Sequence, residues 1–288
     1  MTTNEQLRFF AAKGYVVVGG ALTAAEVAAV NAGIDADRAA HPRQWDPGHR
    51  PYHMTVGCNA PELMQRTEAV DGLAHHPAIA PLVKSILGVG TQLSGLSYMQ
   101  REACAAELPE DDGGEPRCVT RVWHREDGGN VAGADDNLYF VPSLQVIFYL
   151  SDVDAASHCF SIIPESAETK RGLSKKTRDG GAGPLRIADA GIGYVDPARP
   201  VWVDAYGREL SRLVGGVNIY GRAGTAVIFN NSSYHAGTVR QTPRPRRTLH
   251  VRYRQPEPVD SRHGLTEPWE SVAQFTAALP VRPAIGAL

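Results

Sequence analysis

Cysteines, a charge excess of one sign and long apolar runs are all scarce in this sequence. Four cysteines occur in 288 residues, and none shows the C-x-x-C spacing of zinc or redox sites. The 29 basic and 31 acidic residues leave a net charge of −2, so no overall positive field attracts nucleic acid or an anionic membrane. No run approaches the roughly 20 apolar residues that span a bilayer. We therefore expect no disulfide framework, no nucleic-acid partner and no membrane association.

The composition that remains is that of an ordinary globular enzyme, with 43% hydrophobic and 21% charged residues. The first ten residues, MTTNEQLRFF, lack the apolar core of a signal peptide. Because the cysteines are also expected to be reduced, this start predicts a cytoplasmic protein. We expect a small-molecule partner and a chain that works as a monomer or homodimer.

The first third of the sequence carries helix signals. Residues 4–13 predict a short helix, and the β-branched run Tyr15–Val18 predicts a strand after it. Thr23 and Glu26 have the spacing of a capping box, which predicts the start of an alanine-rich helix that ends near residue 40. Residues 41–58 show no periodicity and are predicted to form a loop, whereas further helices are expected over 77–87 and 269–278.

Beyond about residue 90 the pattern changes to short strands. The predicted strands are Gln92–Arg101, Val119–His124, Ser143–Leu150, Val201–Asp204, Thr225–Asn230 and Thr248–Arg254. Loops over 105–117 and 167–190 separate some of them, and the second loop is long enough for an active-site lid. Helices followed by many short strands are typical of an α+β fold with an antiparallel sandwich or barrel.

One domain over residues 1–288 fits this pattern best. It would comprise a helical part over about 1–90, a β core over about 91–256 and a C-terminal tail over about 257–288.

A candidate metal site begins with His124 and Glu126. They lie at the end of the predicted strand Val119–His124, and strand alternation sends residues two positions apart to the same face. A second histidine, His235, follows the predicted strand Thr225–Asn230. Two histidines and one carboxylate can fill one face of an octahedron, which suits Fe(II) oxygen chemistry. On its own, a His-x-Glu pair is more often a surface pair than a metal site.

A buried arginine is expected near that site. Arg246 follows His235 by a proline-rich turn and starts the predicted strand that runs to Tyr253. A guanidinium fork can hold a carboxylate through two hydrogen bonds, as the far carboxylate of a metal-chelating 2-oxo acid would require. Arg244 is expected on a solvated turn. Because neighbouring residues of a strand face opposite ways, only one of Arg246 and Arg247 can point inward.

These motifs resemble those of the phytanoyl-CoA dioxygenase-like family of Fe(II)/2-oxoglutarate oxygenases. The resemblance covers most of the chain, because each motif is loose alone but their order and spacing are fairly specific. The segments that carry it are Phe9–Val18, the helix after Thr23, Val122–Glu126, Phe148–Asp154, Ile162–Ser166 and the block His235–Tyr253.

The resemblance implies a double-stranded β-helix, the jelly roll of cupin-like proteins, with flanking N-terminal helices. It implies iron ligands at His124, Glu126 and His235, and a 2-oxoglutarate anchor at Arg246. Fe(II), 2-oxoglutarate and O2 are the implied cofactor and cosubstrates, with release of succinate and CO2. Hydroxylation of a small metabolite, in secondary metabolism, is the expected reaction, while desaturation, ring formation and epoxidation stay open.

Two positions depart from the family pattern. Glu126 stands where the family usually has aspartate, and Asp127 follows it with the opposite strand parity, so either could supply the carboxylate ligand. Pro164-Glu-Ser166 replaces the usual Pro-Gly-Ser-His, which predicts an unusual loop at the mouth of the site.

Other polar residues are candidates for the pocket, alongside ordinary core or surface roles. Gln145 and Ile147 share one face of a predicted strand, and Gln100, Arg101 and Thr238 could contact the cosubstrate. Two other functions are alternatives to the predicted oxygenase activity. One is a cupin-like metal isomerase or hydrolase, against which Arg246 weighs, and the other is a non-catalytic binding module.

Overall fold

A computed structural model describes residues 3–45, 55–101, 141, 143–157, 159–164, 186–187, 194–195, 202–203, 209–210, 217–233, 235–237, 244–255 and 272–285. The α-helices in these ranges are α1 (Thr3–Lys13), α2 (Ala24–Ala40), α3 (Pro42–Trp45), α4 (Glu62–Arg66), α5 (Ala80–Leu87) and α6 (Val272–Ala278). Short 3-10 turns occupy Asp71–Leu73 and Pro283–Ile285. No helix within the described ranges is long and apolar enough to cross a membrane.

Three of the described strands have seven or more residues, and all three belong to the main sheet. The described strands are β1 (Tyr15–Val18), β2 (Thr55–Asn59), β3 (Gln92–Arg101), β4 (Ser143–Tyr149), β5 (Phe160–Ile162), β6 (Arg186–Ile187), β7 (Tyr194–Val195), β8 (Trp202–Val203), β9 (Glu209–Leu210), β10 (Val217–Ile219), β11 (Ala226–Asn230), β12 (His235–Gly237) and β13 (Arg246–Arg254).

Local sequence explains the start of α2. The Thr23 hydroxyl accepts a hydrogen bond from the backbone N–H of Glu26, and the Glu26 carboxylate accepts one from the backbone N–H of Thr23. This reciprocal capping box satisfies two N–H groups that a helix otherwise leaves unpaired. The predicted capping box and the alanine-rich helix up to Ala40 are therefore confirmed.

A six-stranded antiparallel sheet forms the main framework, with the strand order β1-β11-β4-β13-β3-β2. Its central strand β13 pairs with β3 over nine residue pairs, from Arg246 opposite Arg101 to Arg254 opposite Gln92. A second antiparallel sheet has the order β10-β5-β12. The β6–β7 and β8–β9 pairs are separate two-stranded units.

Apolar side chains pack on both faces of the six-stranded sheet. On β4, Leu144, Val146 and Phe148 belong to a core shared with the helices, whereas Ile147 and Tyr149 belong to a second cluster. The second cluster includes Phe160 and other residues of the three-stranded sheet. Because strand residues alternate between faces, the helices cover one face of the main sheet and the small sheet covers the other.

Gly14 connects α1 to β1 at a close approach of two segments. Its φ of +77° is favourable for glycine alone, and a Cβ at this position would lie 2.6 Å from Oγ of Ser233. The backbone carbonyl of Gly14 accepts a hydrogen bond from the N–H of Asn230. The N-terminal segment therefore packs directly on the turn between β11 and β12.

The prediction of a loop over residues 41–58 is wrong at both ends of the segment. Pro42–Trp45 forms α3, and the indole N–H of Trp45 donates to the Asp37 carboxylate at 2.7 Å. Thr55–Asn59 forms β2, which pairs with the far half of β3. Both elements depend on partners outside the segment, so the lack of local periodicity was misleading.

Other predicted elements agree within a few residues. The helix predicted over 77–87 begins at Ala80 and ends before Gly88, and the helix predicted over 269–278 is α6. The strands β5, β10 and β12 were not predicted. Val119–His124, the loop over 105–117 and most of 167–190 lie outside the described residues, although β6 falls within the last range.

Candidate functional site

His235 is held in one orientation between the two sheets. It begins β12, is 5% exposed, and its ring centroid lies 4.7 Å from that of Phe229 and 5.8 Å from that of Phe160. Nδ1 lies 2.9 Å from the backbone carbonyl oxygen of Ser233. Because a carbonyl can only accept, the neutral ring carries its proton on Nδ1, and the lone pair that can bind a metal is on Nε2.

The other two predicted metal ligands, His124 and Glu126, lie outside the described residues, as does Asp127. Within the described ranges, no three histidine, cysteine, aspartate or glutamate side chains form a group that could hold a metal. His235 is therefore the one predicted ligand whose surroundings the structure describes.

Arg246 lies in the interior, and its neighbour Arg247 lies on the opposite face of β13. The side chain of Arg247 reaches α2, where Nη1 donates to the Asp35 carboxylate at 2.9 Å. Arg246 is only 4% exposed, and neither its Nε nor its Nη1 has a hydrogen-bond partner among the described residues. The alternation expected from a strand thus puts Arg246 inside.

No described anion balances the charge of Arg246. Burial lowers the pKa of its guanidinium, and Tyr149 is among the groups nearest to it. The Tyr149 hydroxyl donates to the carbonyl oxygen of Ile219 at 2.8 Å, and burial raises the pKa of this phenol, so it is neutral at physiological pH. A buried cation with unpaired N–H groups is a feature that a ligand anion would satisfy.

Arg101 is a second, partly buried arginine beside Arg246. The two residues face each other across the β3–β13 ladder. Burial, and then the neighbouring charge of Arg246, lower the pKa of Arg101 to about 9. Nη1 of Arg101 also has no hydrogen-bond partner among the described residues. Sequence reasoning named Arg101 only as a minor candidate, because its pairing with Arg246 depends on a strand register that no local motif reveals.

Further along the same face of β13, His250 is fixed at both ring nitrogens. The Gln145 side-chain amide donates to Nδ1, and Nε2 lies 3.1 Å from the Thr248 hydroxyl. The Thr248 hydroxyl in turn donates to the carbonyl oxygen of Met99. This chain of hydrogen bonds gives His250 and Gln145 a structural role.

The remaining candidates fall in different places. Ile147 is in the apolar cluster between the sheets. Gln100 accepts a hydrogen bond from the hydroxyl of Tyr98, which belongs to the core shared with the helices. Gln100 is therefore on the side of the sheet that faces away from Arg101 and Arg246. Thr238 lies outside the described residues.

Comparison with protein families gives a single match of wide extent. The model of the phytanoyl-CoA dioxygenase family matches residues 10–248. The chain belongs to this family. The family resemblance predicted from the motifs is confirmed, and so is the activity class: the protein is a non-haem Fe(II)- and 2-oxoglutarate-dependent dioxygenase. No curated protein sequence matches the chain.

Solved structures of similar fold share little sequence with this dioxygenase. The carbocyclase SnoK from nogalamycin biosynthesis is 17% identical, with a TM-score of 0.58 over 88% of this chain and 86% of SnoK. The epimerase SnoN, in complex with Fe3+, α-ketoglutarate and nogalamycin RO, is 19% identical, with a TM-score of 0.58 over 98% and 96%. HygX from Streptomyces hygroscopicus, with nickel and 2-oxoglutarate, is 15% identical, with a TM-score of 0.59 over 89% and 88%.

The described residues of the dioxygenase fit an iron ion and 2-oxoglutarate. His235 has the tautomer that metal binding requires, because its Nδ1 proton is directed to the Ser233 carbonyl. Arg246 offers unpaired N–H donors in a buried setting, which suits a carboxylate. His235 packs against Phe229, and Arg246 interacts electrostatically with Tyr149; both of these rings belong to the apolar cluster between the two sheets.

Proposed function

We propose that this dioxygenase binds iron through His124, Glu126 and His235, and that Arg246 holds the far carboxylate of 2-oxoglutarate. The observation that carries the proposal is the buried Arg246 guanidinium, two of whose nitrogens have no partner among the described residues. Leaving a charged donor buried and unpaired costs on the order of several kcal/mol. A fold keeps such a group where a ligand anion completes it.

Each residue of this proposed site has a defined task. The imidazoles of His124 and His235 and the carboxylate of Glu126 would hold the iron ion, a ligand set that suits non-haem Fe(II). The Ser233 carbonyl orients His235 and keeps the proton off the ligating nitrogen. Arg246 sets the distance between the metal and the far end of the cosubstrate, because its planar fork holds a carboxylate in one geometry. When bound, iron supplies the activation of O2, coupled to conversion of 2-oxoglutarate into succinate and CO2.

We propose a double-stranded β-helix as the finer description of the fold, in a single domain over residues 1–288. Two antiparallel sheets that share an apolar cluster support it. Side chains between the two sheets are buried, and the low local dielectric of such an environment would strengthen charge-assisted hydrogen bonds to a cosubstrate. A cytoplasmic monomer or homodimer remains our prediction for the working form.

We propose that the prime substrate is a small molecule of secondary metabolism and that hydroxylation of an unactivated C–H bond is the reaction. HygX has been crystallised with hygromycin B, and SnoN with nogalamycin RO. These relatives are similar in fold alone, with identities of 18% and 19%. Product analysis by mass spectrometry would distinguish an added oxygen from the ring closure or epimerisation that the names of such relatives describe.

Anaerobic titration of the full chain with Fe(II) tests the proposed iron and cosubstrate site. Addition of 2-oxoglutarate should produce a weak visible charge-transfer band, because the 2-oxo acid chelates the metal. His235→Ala should abolish the band. A wild-type protein that binds Fe(II) but shows no band with 2-oxoglutarate would contradict the proposal.

A matched pair of variants tests the carboxylate ligand. In the strand predicted from the sequence, alternation would put Glu126 on the same face as His124 and Asp127 on the other. Glu126→Ala should therefore lose Fe(II) affinity and succinate formation, whereas Asp127→Ala should keep both. The reverse pattern would assign the ligand to Asp127 and indicate a bulge in this segment.

A further inference from the structure

A glycine on the other sheet leaves room for the Arg101 guanidinium. A Cβ added to Gly237 would lie 2.6 Å from Nη2 of Arg101 and 3.1 Å from its Cζ. Both distances are shorter than van der Waals contact, so the absence of a side chain at residue 237 makes room for this guanidinium. Arg101 therefore extends from β3, across the space between the sheets, onto the backbone of β12.

Gly237 also places Arg101 on the side of the proposed iron site. His235 and Gly237 are two positions apart on β12, and such residues share a face of a strand. The guanidinium that lies over Gly237 is therefore on the same face of β12 as the His235 ring.

Two like charges share this space. Arg101 and Arg246 are direct partners across the ladder, and like charges in such positions repel each other. Neither forms an ion pair with a carboxylate of the described residues. The repulsion is one reason why the pKa of Arg101 is lowered to about 9, at which it is still protonated near neutral pH.

A single carboxylate can satisfy both arginines. An ionised carboxylate offers about four acceptor sites on its two oxygens, so two guanidinium groups can donate to it from different sides. Its charge would also remove the repulsion between the two cations. 2-Oxoglutarate brings such a group at the end that does not chelate the metal.

We infer that Arg101 is a second specificity-determining residue, which together with Arg246 binds the distal carboxylate of 2-oxoglutarate and is admitted to the pocket by Gly237. This inference rests on the proposed function, since it concerns the same cosubstrate. A residue of β3 would then help to select the cosubstrate, in addition to the iron ligands and Arg246.

The test compares two 2-oxo acids of equal chain length. Dissociation constants of 2-oxoglutarate and 2-oxopentanoate, which lacks the distal carboxylate, are measured by calorimetry on the Fe(II)-loaded full chain without oxygen. Arg101→Met should raise the dissociation constant of 2-oxoglutarate by about 30-fold or more, because it removes one partner of a desolvated charge pair. Binding of 2-oxopentanoate should change by less than about threefold, since it makes no such pair. Arg101→Lys should give an intermediate loss, because lysine keeps the charge without the planar fork.

Gly237→Ala provides an independent variant that keeps both arginines. The new Cβ would displace the Arg101 guanidinium. The affinity for 2-oxoglutarate should therefore fall again, while the affinity for 2-oxopentanoate stays near wild type. In the Arg101→Met background the same change should have little further effect, which a double-mutant cycle measures. Arg247→Met, which alters the opposite face of β13, is the control and should leave both affinities near wild type.

The outcomes separate this inference from the proposed function. If Arg101→Met and Gly237→Ala both bind 2-oxoglutarate as tightly as wild type, Arg101 has no part in cosubstrate binding. An equal loss for both 2-oxo acids would show a general disturbance of the pocket and overturn the inference as well. Absence of 2-oxoglutarate binding by the wild-type protein would instead overturn the proposed function, and this inference with it.

Discussion

Replacing Arg246 by methionine should change cosubstrate binding and the stability of the ligand-free protein in opposite directions. Methionine keeps an unbranched side chain of similar length but has no charge and no N–H donors. The Arg246 side chain is 4% exposed and has two nitrogens without a partner among the described residues. The substitution therefore removes the group that a carboxylate would use and, at the same time, a group that is unfavourable when no carboxylate is present.

The loss of binding follows from the burial of the pair. Truncation of one partner of a desolvated, hydrogen-bonded charge pair costs roughly 2–5 kcal/mol. At 1.4 kcal/mol for each factor of ten, the dissociation constant for 2-oxoglutarate should rise by about 30-fold to several thousand-fold. Arg247→Met is the matched control. Arg247 pairs with the half-exposed Asp35, and such surface pairs contribute about 0–1 kcal/mol.

The gain in stability has two sources. Replacing buried charged groups by apolar side chains of similar volume is often stabilising, by about 1–4 kcal/mol. Loss of the Arg246 charge also removes its repulsion of Arg101. Since each kcal/mol shifts the melting temperature of a domain near this size by about 2–4 °C, the ligand-free variant should melt several degrees above wild type.

Differential scanning calorimetry with and without 2-oxoglutarate, on the Fe(II)-loaded protein under anaerobic conditions, measures both effects. Addition of 2-oxoglutarate should raise the melting temperature of wild type but leave that of Arg246→Met unchanged. The reasoning fails if the ligand-free variant melts below wild type by more than the Arg247→Met control does, because Arg246 would then stabilise the fold itself.

Three further changes test individual contacts. Gln145→Leu removes the donor to Nδ1 of His250 and should lower the free energy of unfolding by about 1–3 kcal/mol in urea denaturation, with 2-oxoglutarate affinity unchanged; an altered affinity would place Gln145 in the pocket. Thr23→Ala breaks the capping box and should cost about 1 kcal/mol. Hydrogen bonds from Thr23 hold the pKa of Glu26 at about 2, below its ordinary 4.5. The stability that ionised Glu26 contributes is therefore complete above pH 4.5 and is lost as the pH falls towards 2. The free energy of unfolding of the Thr23→Ala variant should depend less on pH in this range, and an unchanged dependence would show that Glu26 does not act through the capping box. Asp37→Ala leaves the partly buried Arg66 guanidinium and the Trp45 indole N–H without their acceptor and should cost about 3–5 kcal/mol by the same denaturation assay. A loss below 1 kcal/mol would show that the ion pair between Asp37 and Arg66 is not desolvated.

Strand alternation predicted that Arg246 and Arg247 lie on opposite faces of one strand, and the spacing from His235 selected Arg246 for the side of the site. The apolar residues at 249, 251 and 253 share the face of Arg247 and pack against the helices, so alternation alone did not decide between the two arginines. The capping box at Thr23 was equally accessible, because it is a local pattern with a fixed spacing. The iron ligands His124, Glu126 and His235 were named from motif spacing, and all three stay predictions.

Features that depend on distant partners were not predictable. The strands β5, β10 and β12 have three residues each, too few to show a period of two. β2 is a strand because β3 lies beside it, and its own sequence Thr55–Asn59 contains a glycine and an asparagine that disfavour strands. The approach of Arg101 to Gly237 joins two sheets, so it depends on how the sheets face each other and on no pattern within either segment.

The strand order of the main sheet has a consequence for how the protein is made. β11 and β13, which are synthesised late, each lie between strands that are synthesised earlier: β11 between β1 and β4, and β13 between β4 and β3. Among the described strands of this sheet, only β2 and β3 can pair before the last third of the chain has left the ribosome. Until then the apolar strands β1 and β4 lack their described neighbours, a state that exposes them to aggregation and slows folding. A chain that stops short of β13 would leave the sheet in two unconnected parts, and the residues at its centre would never come together.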